Sequence, residues 1–264
     1  MEVHPANSQV LAFKGDIYYN TNQQDSALNE YLQSMEKEKS NYLIWKKVIM
    51  IYFEQRNYNK AIELCTQAIE YFPTNPEIYF YEGIALMQQK KDSDAATIFE
   101  TGVKYVINNK QLLQQYYANL GEVYHSLTNY DKSDNYYDKA LEIDPNDGSV
   151  LNNYAYFLSI RKVRLDEAKK MSEKSLQIDP ENAANLDTYG WILFLMKDYS
   201  AAEVQISKAL LKRNNDPDIL EHYGDILFQL GQIDKAVEQW QKAKSNGSSS
   251  GNIDKKIRDR MLYE

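Results

Sequence analysis

Three histidines, one cysteine and 38 carboxylate side chains are the groups from which this 264-residue chain could build catalytic or metal chemistry. His4, His125 and His222 are far apart and Cys65 stands alone, so no zinc-type ligand spacing exists. The phosphate-cradling patterns GxxxxGK(S/T) and GxGxxG are absent, as is HExxH. DPNDG, Asp144 to Gly148, has residue types that open a calcium loop but lacks the glutamate that closes one, and reads as a turn. The remaining acidic residues fall at turns and outer helix faces, where solvation is their role. The sequence therefore predicts no cofactor, no metal and no enzymatic activity of its own; its work lies on its surface.

Charge and hydropathy narrow the partners. A net charge of -8 repels phosphate backbones, which argues against nucleic acid. Mean hydropathy is -0.63, and no apolar run approaches the length of a membrane span. A single cysteine excludes an internal disulfide, which fits a reducing compartment and an exported bacterial protein equally well. Residues 1–10 lack the basic start and apolar core of a signal peptide.

The elements beneath these groups repeat. Ala61, Ala95, Ser133, Ala168, Ala202 and Ala236 mark one recurring position, and Cys65, Phe99, Tyr137, Ser172, Ile206 and Trp240 follow it by four. Gly15, Gly83, Gly121, Gly190 and Gly224 mark a second. In phase, the units run 8–41, 42–75, 76–109, 114–147, 148–182, 183–216 and 217–250. Each reads as two short amphipathic helices. In the second unit Trp45, Val48, Ile49 and Tyr52 form one stripe, and Ala61, Leu64, Cys65 and Ala68 another. Pro73, Pro145 and Pro180 stop second helices at one shared position.

The pattern is similar to that of the tetratricopeptide repeat, best matched by Tyr117, Leu120, Gly121, Tyr124, Tyr137, Ala140 and Pro145 in the fourth unit and by Trp45, Tyr52, Ala61, Ala68 and Pro73 in the second. The resemblance implies an all-α fold: a right-handed α-solenoid of about seven helix-turn-helix repeats forming one domain over 1–264. Departures are Ile49 for the small residue, Ser133 for the alanine, and Ile107 and Asn214 where proline is expected; each is expected to loosen its own unit. The segments LNNYAYFLSIRKVRLDEAKKMSEKSLQIDP, NLDTYGWILF and ILEHYGDILFQLG also resemble the C-terminal repeats of exported bacterial members. That resemblance implies an envelope-associated scaffold, placed in the periplasm if a signal peptide has been removed and in the cytoplasm otherwise.

Irregular stretches interrupt the period. Ser245 to Gly251 reads as a flexible break. Beyond it, 252–264 carry Ile253, Ile257 and Leu262 among charges, which predicts a capping helix, with a disordered tail as the rival reading. The insertion Lys110 to Leu113 lengthens the next helix or makes a bend, and the extra residue of the fifth unit lies in the turn Arg161 to Leu165.

In proteins the chain resembles, first helices line a concave face that binds a partner. Projecting that geometry by helical period gives groove candidates Lys46, Met50, Phe53, Phe80, Ile84 and Met87 in the second and third units. Asn152, Tyr156, Trp191 and Phe194 follow in the fifth and sixth, and Asp187, Asp218, Glu221 and Asp225 form an acidic end. This set predicts a protein or peptide partner with apolar anchors and Lys or Arg. The carboxylate clamp known in the family needs Lys and Asn on the first helix. Ala12 and Asp16, Ala118 and Glu122, and Lys46 followed by Met50 do not supply it. Two other readings are self-association and service as the accessory part of a larger enzyme.

Overall fold

A computed structural model describes residues 7–263; His4 and most of the N-terminal stretch tested for a signal peptide lie outside them. The fold is all-α, with fifteen α-helices and one 3-10 turn among the described residues. The chain divides after Ile143 into two compact units. The first holds α1 (Ser8–Asn20), α2 (Gln24–Lys37), α3 (Tyr42–Glu54), α4 (Tyr58–Tyr71), α5 (Pro76–Gln88), α6 (Asp92–Gly102), α7 (Lys110–Ser126) and α8 (Tyr130–Ile143). The second holds α9 (Gly148–Ile160), α10 (Leu165–Ile178), α11 (Ala183–Leu195), α12 (Tyr199–Lys212), α13 (Pro217–Gln229), α14 (Ile233–Ser245) and α15 (Ile253–Asp259).

Local chemistry sets the ends of these helices. Asn57, Asn75, Asn109, Asp147, Asn182 and Asp216 each accept a backbone N–H of the helix they precede, and Pro76 and Pro217 occupy first helical positions. Every turn within a pair carries a left-handed residue, Asn22, Arg56, Lys90, Thr128, Lys162, Lys197 or Gly231, and the α9–α10 turn adds a second, Arg164. The amide that follows each of the seven returns to the helix it leaves, as Asn57 does to Tyr52 O and Lys91 to Leu86 O. Six of the seven are not glycine, so the closed turn holds them in a backbone region that disfavours side chains. The insertion Lys110 to Leu113 is absorbed into α7, whose 17 residues exceed the 13 of α1, α3, α5, α9, α11 and α13.

Helices within a pair are spaced by a large residue facing a small one. A Cβ placed on Gly83 would lie 2.3 Å from Phe99, one on Gly121 2.7 Å from Tyr137, and one on Gly224 2.4 Å from Trp240. Where the first helix lacks glycine, the second gives way: Ile49 faces the Cys65 position and Ala155 the Ser172 position, and all four are buried. Ile49 exchanges the roles, and α3 and α4 pack less closely than the helices of any other pair among the described residues, so its pair is loosened as expected. Ser133, in place of alanine, donates to Gly121 O at 2.8 Å and ties α8 to α7. After α6 the chain makes a 3-10 turn, Val103–Tyr105, in the stretch where Ile107 replaces proline.

One buried carboxyl serves no visible ion pair. Glu82 on α5 is buried, receives Thr66 Oγ1 at 2.9 Å on one oxygen, and has no partner on the other among the described residues. Burial pushes its carboxyl above the ordinary range, with Thr66 opposing. A folded value above the unfolded one means the group destabilises at neutral pH and that this penalty fades as pH falls through the folded value. Glu82→Gln is expected to raise the thermal midpoint at about pH 7 and to change it little near pH 4; an equal shift at both would remove the carboxyl from the explanation.

Candidate partner-binding cleft

The second unit presents side chains of α9, α11 and α13 to a cleft of about 550 Å³. Because α9, α11 and α13 open successive units, helical period brings Tyr156, Trp191 and Asp225 to equivalent positions. Tyr156, Trp191, Phe194, Asp218, Glu221 and Asp225, all candidates from the sequence, line the cleft together with His222, Lys162 and Leu195. Its remaining wall comes from the C-terminal segment, with Ser249, Ser250, Asn252, Lys256, Leu262 and Tyr263.

Trp191 is the centre of a ring stack. Phe194 lies against it at 4.9 Å and 17°, and His222 at 4.2 Å and 20°. These contacts leave it half-buried. His222 Nδ1 donates to Asp187 Oδ1 at 2.8 Å, so the acidic candidate Asp187 serves to orient the imidazole. Burial works against charge on His222, but Asp187, with Asp225 and Asp218 nearby, outweighs it and lifts its pKa above the usual value. Asp218 is exposed and has no ion-pair partner among the described residues. Partial burial raises its carboxyl; His222 opposes, and Asp216, Asp187 and Glu221 add to the rise.

The other two acids are already matched. Lys256 of α15 reaches Glu221 Oε1 at 2.8 Å and both carboxylate oxygens of Asp225 at 2.8 Å, with its side chain only 4% exposed. Trp240 Nε1 donates to Asp225 Oδ1 and Ser248 Oγ to Glu221 Oε2, each at 2.8 Å. Burial would raise the Glu221 carboxyl, yet the bond and charge of Lys256 hold it below the ordinary range. The acidic end thus divides into a neutralised floor, Glu221 and Asp225, and an open rim, Asp218. His222 and Lys256 were not singled out by sequence reasoning. His222 stands four residues after Asp218 on the same helix, a signal the period offered; Lys256 lies past a flexible break, where no periodic position is defined.

The other candidates distribute differently. Asn152 is buried on α9 with its Oδ1 unpartnered among the described residues, and is not among the side chains lining the cleft. In the first unit Lys46 and Met50 border a separate depression of about 510 Å³ with Tyr19, Tyr31, Leu43 and Glu54, and Lys46 Nζ donates to Glu77 at 2.8 Å. Phe53 packs on Tyr58 and Tyr81, Phe80 on Phe99 and Tyr116, and Ile84 and Met87 against the same core. Among the described residues no three His, Cys, Asp or Glu side chains converge to hold a metal, and no helix is long and apolar enough to cross a membrane.

A family profile described as tetratricopeptide repeat matches residues 12–248. The human protein O-mannosyl-transferase TMTC1 is 24% identical over 201 residues, which cover 62% of this chain and 22% of that protein; the chain thus spans about a fifth of that relative's length. A tetratricopeptide repeat protein from Parabacteroides merdae superimposes with a TM-score of 0.74 at 19% identity, over 97% of this chain and 99% of that one. A chain of the APC/C hetero-tetramer Cut9-Hcn1 superimposes with a TM-score of 0.76 at 14% identity, over 96% of this chain and 52% of that one.

Proposed function

We propose, for a chain that belongs to the tetratricopeptide repeat family, a non-enzymatic scaffold role in which the α9–α11–α13 cleft captures a segment of another protein. The observation that carries the reading is Asp218, exposed and without an ion-pair partner among the described residues, beside the Phe194–Trp191–His222 stack. An apolar anchor of the partner settles against Tyr156 and the edge of the stack, and a Lys or Arg of the partner meets Asp218. Aromatic walls suit this work because they offer large contact area at small rotamer cost. Assembly of a similar fold into the Cut9-Hcn1 hetero-tetramer supports a role among other chains. The transferase named in the human relative belongs to a protein of which this chain spans about a fifth, and no step of that chemistry is assigned to the cleft.

Affinity capture from the native lysate with the parent and a Tyr156→Ala, Asp218→Asn variant tests the reading. Both side chains are exposed, so the variant is expected to melt like the parent while losing the protein that the parent retains. Equal capture by both would move binding away from this cleft. Binding of a basic segment should also strengthen as pH rises through the elevated pKa of His222, because the imidazolium repels the partner's cation and disappears there. Affinity that weakens over the same interval would contradict the charge pairing with Asp218.

A further inference from the structure

Asn246 and Gly247 are the only Asn-Gly pair in the sequence, and they stand where α14 ends. The chain closes that end with a glycine cap. Gly247 takes a φ of 93°, its amide donates to Lys244 O at 3.1 Å, and the Ser248 amide donates to Ala243 O at 3.0 Å. A left-handed position favours glycine, and the same choice leaves the Gly247 amide with no side chain to screen it. A Cβ there would meet nothing within 4 Å. Asn246 is exposed, and its Nδ2 donates to Lys242 O at 2.8 Å. Hydrogen bonds at an exposed helix end open locally at small cost, which frees both the Gly247 nitrogen and the neighbouring Asn246 side chain.

We infer that Asn246 is a modification site, converted by the chain's own Gly247 amide without an enzyme. The deprotonated Gly247 nitrogen attacks Asn246 Cγ, a C–N bond closes a five-membered succinimide, and the side-chain nitrogen leaves as ammonia. Water then opens the ring at either carbonyl, giving aspartate or, where the chain continues through the side chain, isoaspartate. One water is consumed and one ammonia released, with no change of oxidation state.

The product alters the wall of the cleft. A carboxylate cannot donate to Lys242 O, and it stands at the helix end whose carbonyls disfavour negative charge. The two lysines of the last turn are already engaged, Lys242 with Glu238 at 2.7 Å and Lys244 with Asp254 at 2.6 Å. Isoaspartate also lengthens the backbone by a carbon just before Ser248, whose Oγ donates to Glu221 Oε2. Ser249 and Ser250, next along the chain, line the cleft. Conversion of Asn246 therefore loosens this serine wall, whatever the cleft binds.

Ageing the full chain in mildly alkaline buffer and mapping its peptides tests the inference. Isoaspartate, detected by methyl transfer from S-adenosylmethionine with an isoaspartyl methyltransferase, is expected in the peptide carrying Asn246 before any other. It should be absent there in Asn246→Gln, whose longer side chain closes its ring far more slowly. Hydrogen exchange gives the second readout: relative to fresh protein, the aged parent should lose protection at the Ser248 amide by about tenfold or more, while aged Asn246→Gln keeps its own. An Asn246 that stays intact, or reacts only after other asparagines, would overturn the site. A converted Asn246 with unchanged exchange at Ser248 would overturn the loosening of the wall.

Discussion

Replacing Lys256 with methionine is expected to destabilise the second unit by about 3–5 kcal/mol, the usual cost of removing one partner from a buried ion group. The ammonium compensates two carboxylates, Glu221 and Asp225, whose side chains are 10 and 6% exposed. Methionine preserves most of the volume, so the loss reports charge more than packing. Without the cation, Asp225 keeps only Trp240 Nε1 and Glu221 only the serine donors near Ser248, and both carboxylates become costly to bury. Adding Glu221→Gln and Asp225→Asn to Lys256→Met should recover much of the loss, because neutral groups of the same shape carry a smaller desolvation cost. Urea unfolding followed by tryptophan fluorescence measures both. A single variant as stable as the parent would mean that water reaches the carboxylates and that α15 is not anchored through them.

That ion group also marks where reading the chain stops. The all-α repeat was legible because stacking demands a small residue where two helices cross, and Gly83, Gly121 and Gly224 announce it at fixed spacing. The clustering of Tyr156, Trp191 and Asp218 followed from the same period. What escaped was whatever depends on an aperiodic segment or on two positions at once. Lys256 meets α13 only because the chain folds back after Ser245, and no local pattern encodes that return. Asp187 looked like a free acid for a partner, yet it orients His222, a pairing visible only when α11 and α13 lie side by side. The left-handed residues Arg56, Lys90 and Lys197 were illegible for another reason: the turn holds them there without the glycine that would have announced it.

Ile49 makes the pairwise point testable. Gly83→Ile alone is expected to cost roughly 3 kcal/mol, since its Cβ would sit 2.3 Å from Phe99, a ring buried between α5, α6 and α7. Phe99→Cys alone should cost about 3–5 kcal/mol by leaving a cavity. The double variant reproduces in α5–α6 the combination that α3–α4 already uses, Ile49 with Cys65. New side-chain volume then enters the space the ring has left. Its destabilisation should fall short of the sum by about 2 kcal/mol, a coupling of the size expected for residues in contact. Tyr116 and Phe80, which touch the ring, keep the rescue incomplete. Chemical denaturation of the four proteins completes the cycle. Strict additivity would mean that helix spacing is set elsewhere and that the large-for-small exchange at Ile49 is incidental; a clear coupling would mean that the repeat conserves the summed volume at a crossing, whichever helix supplies it.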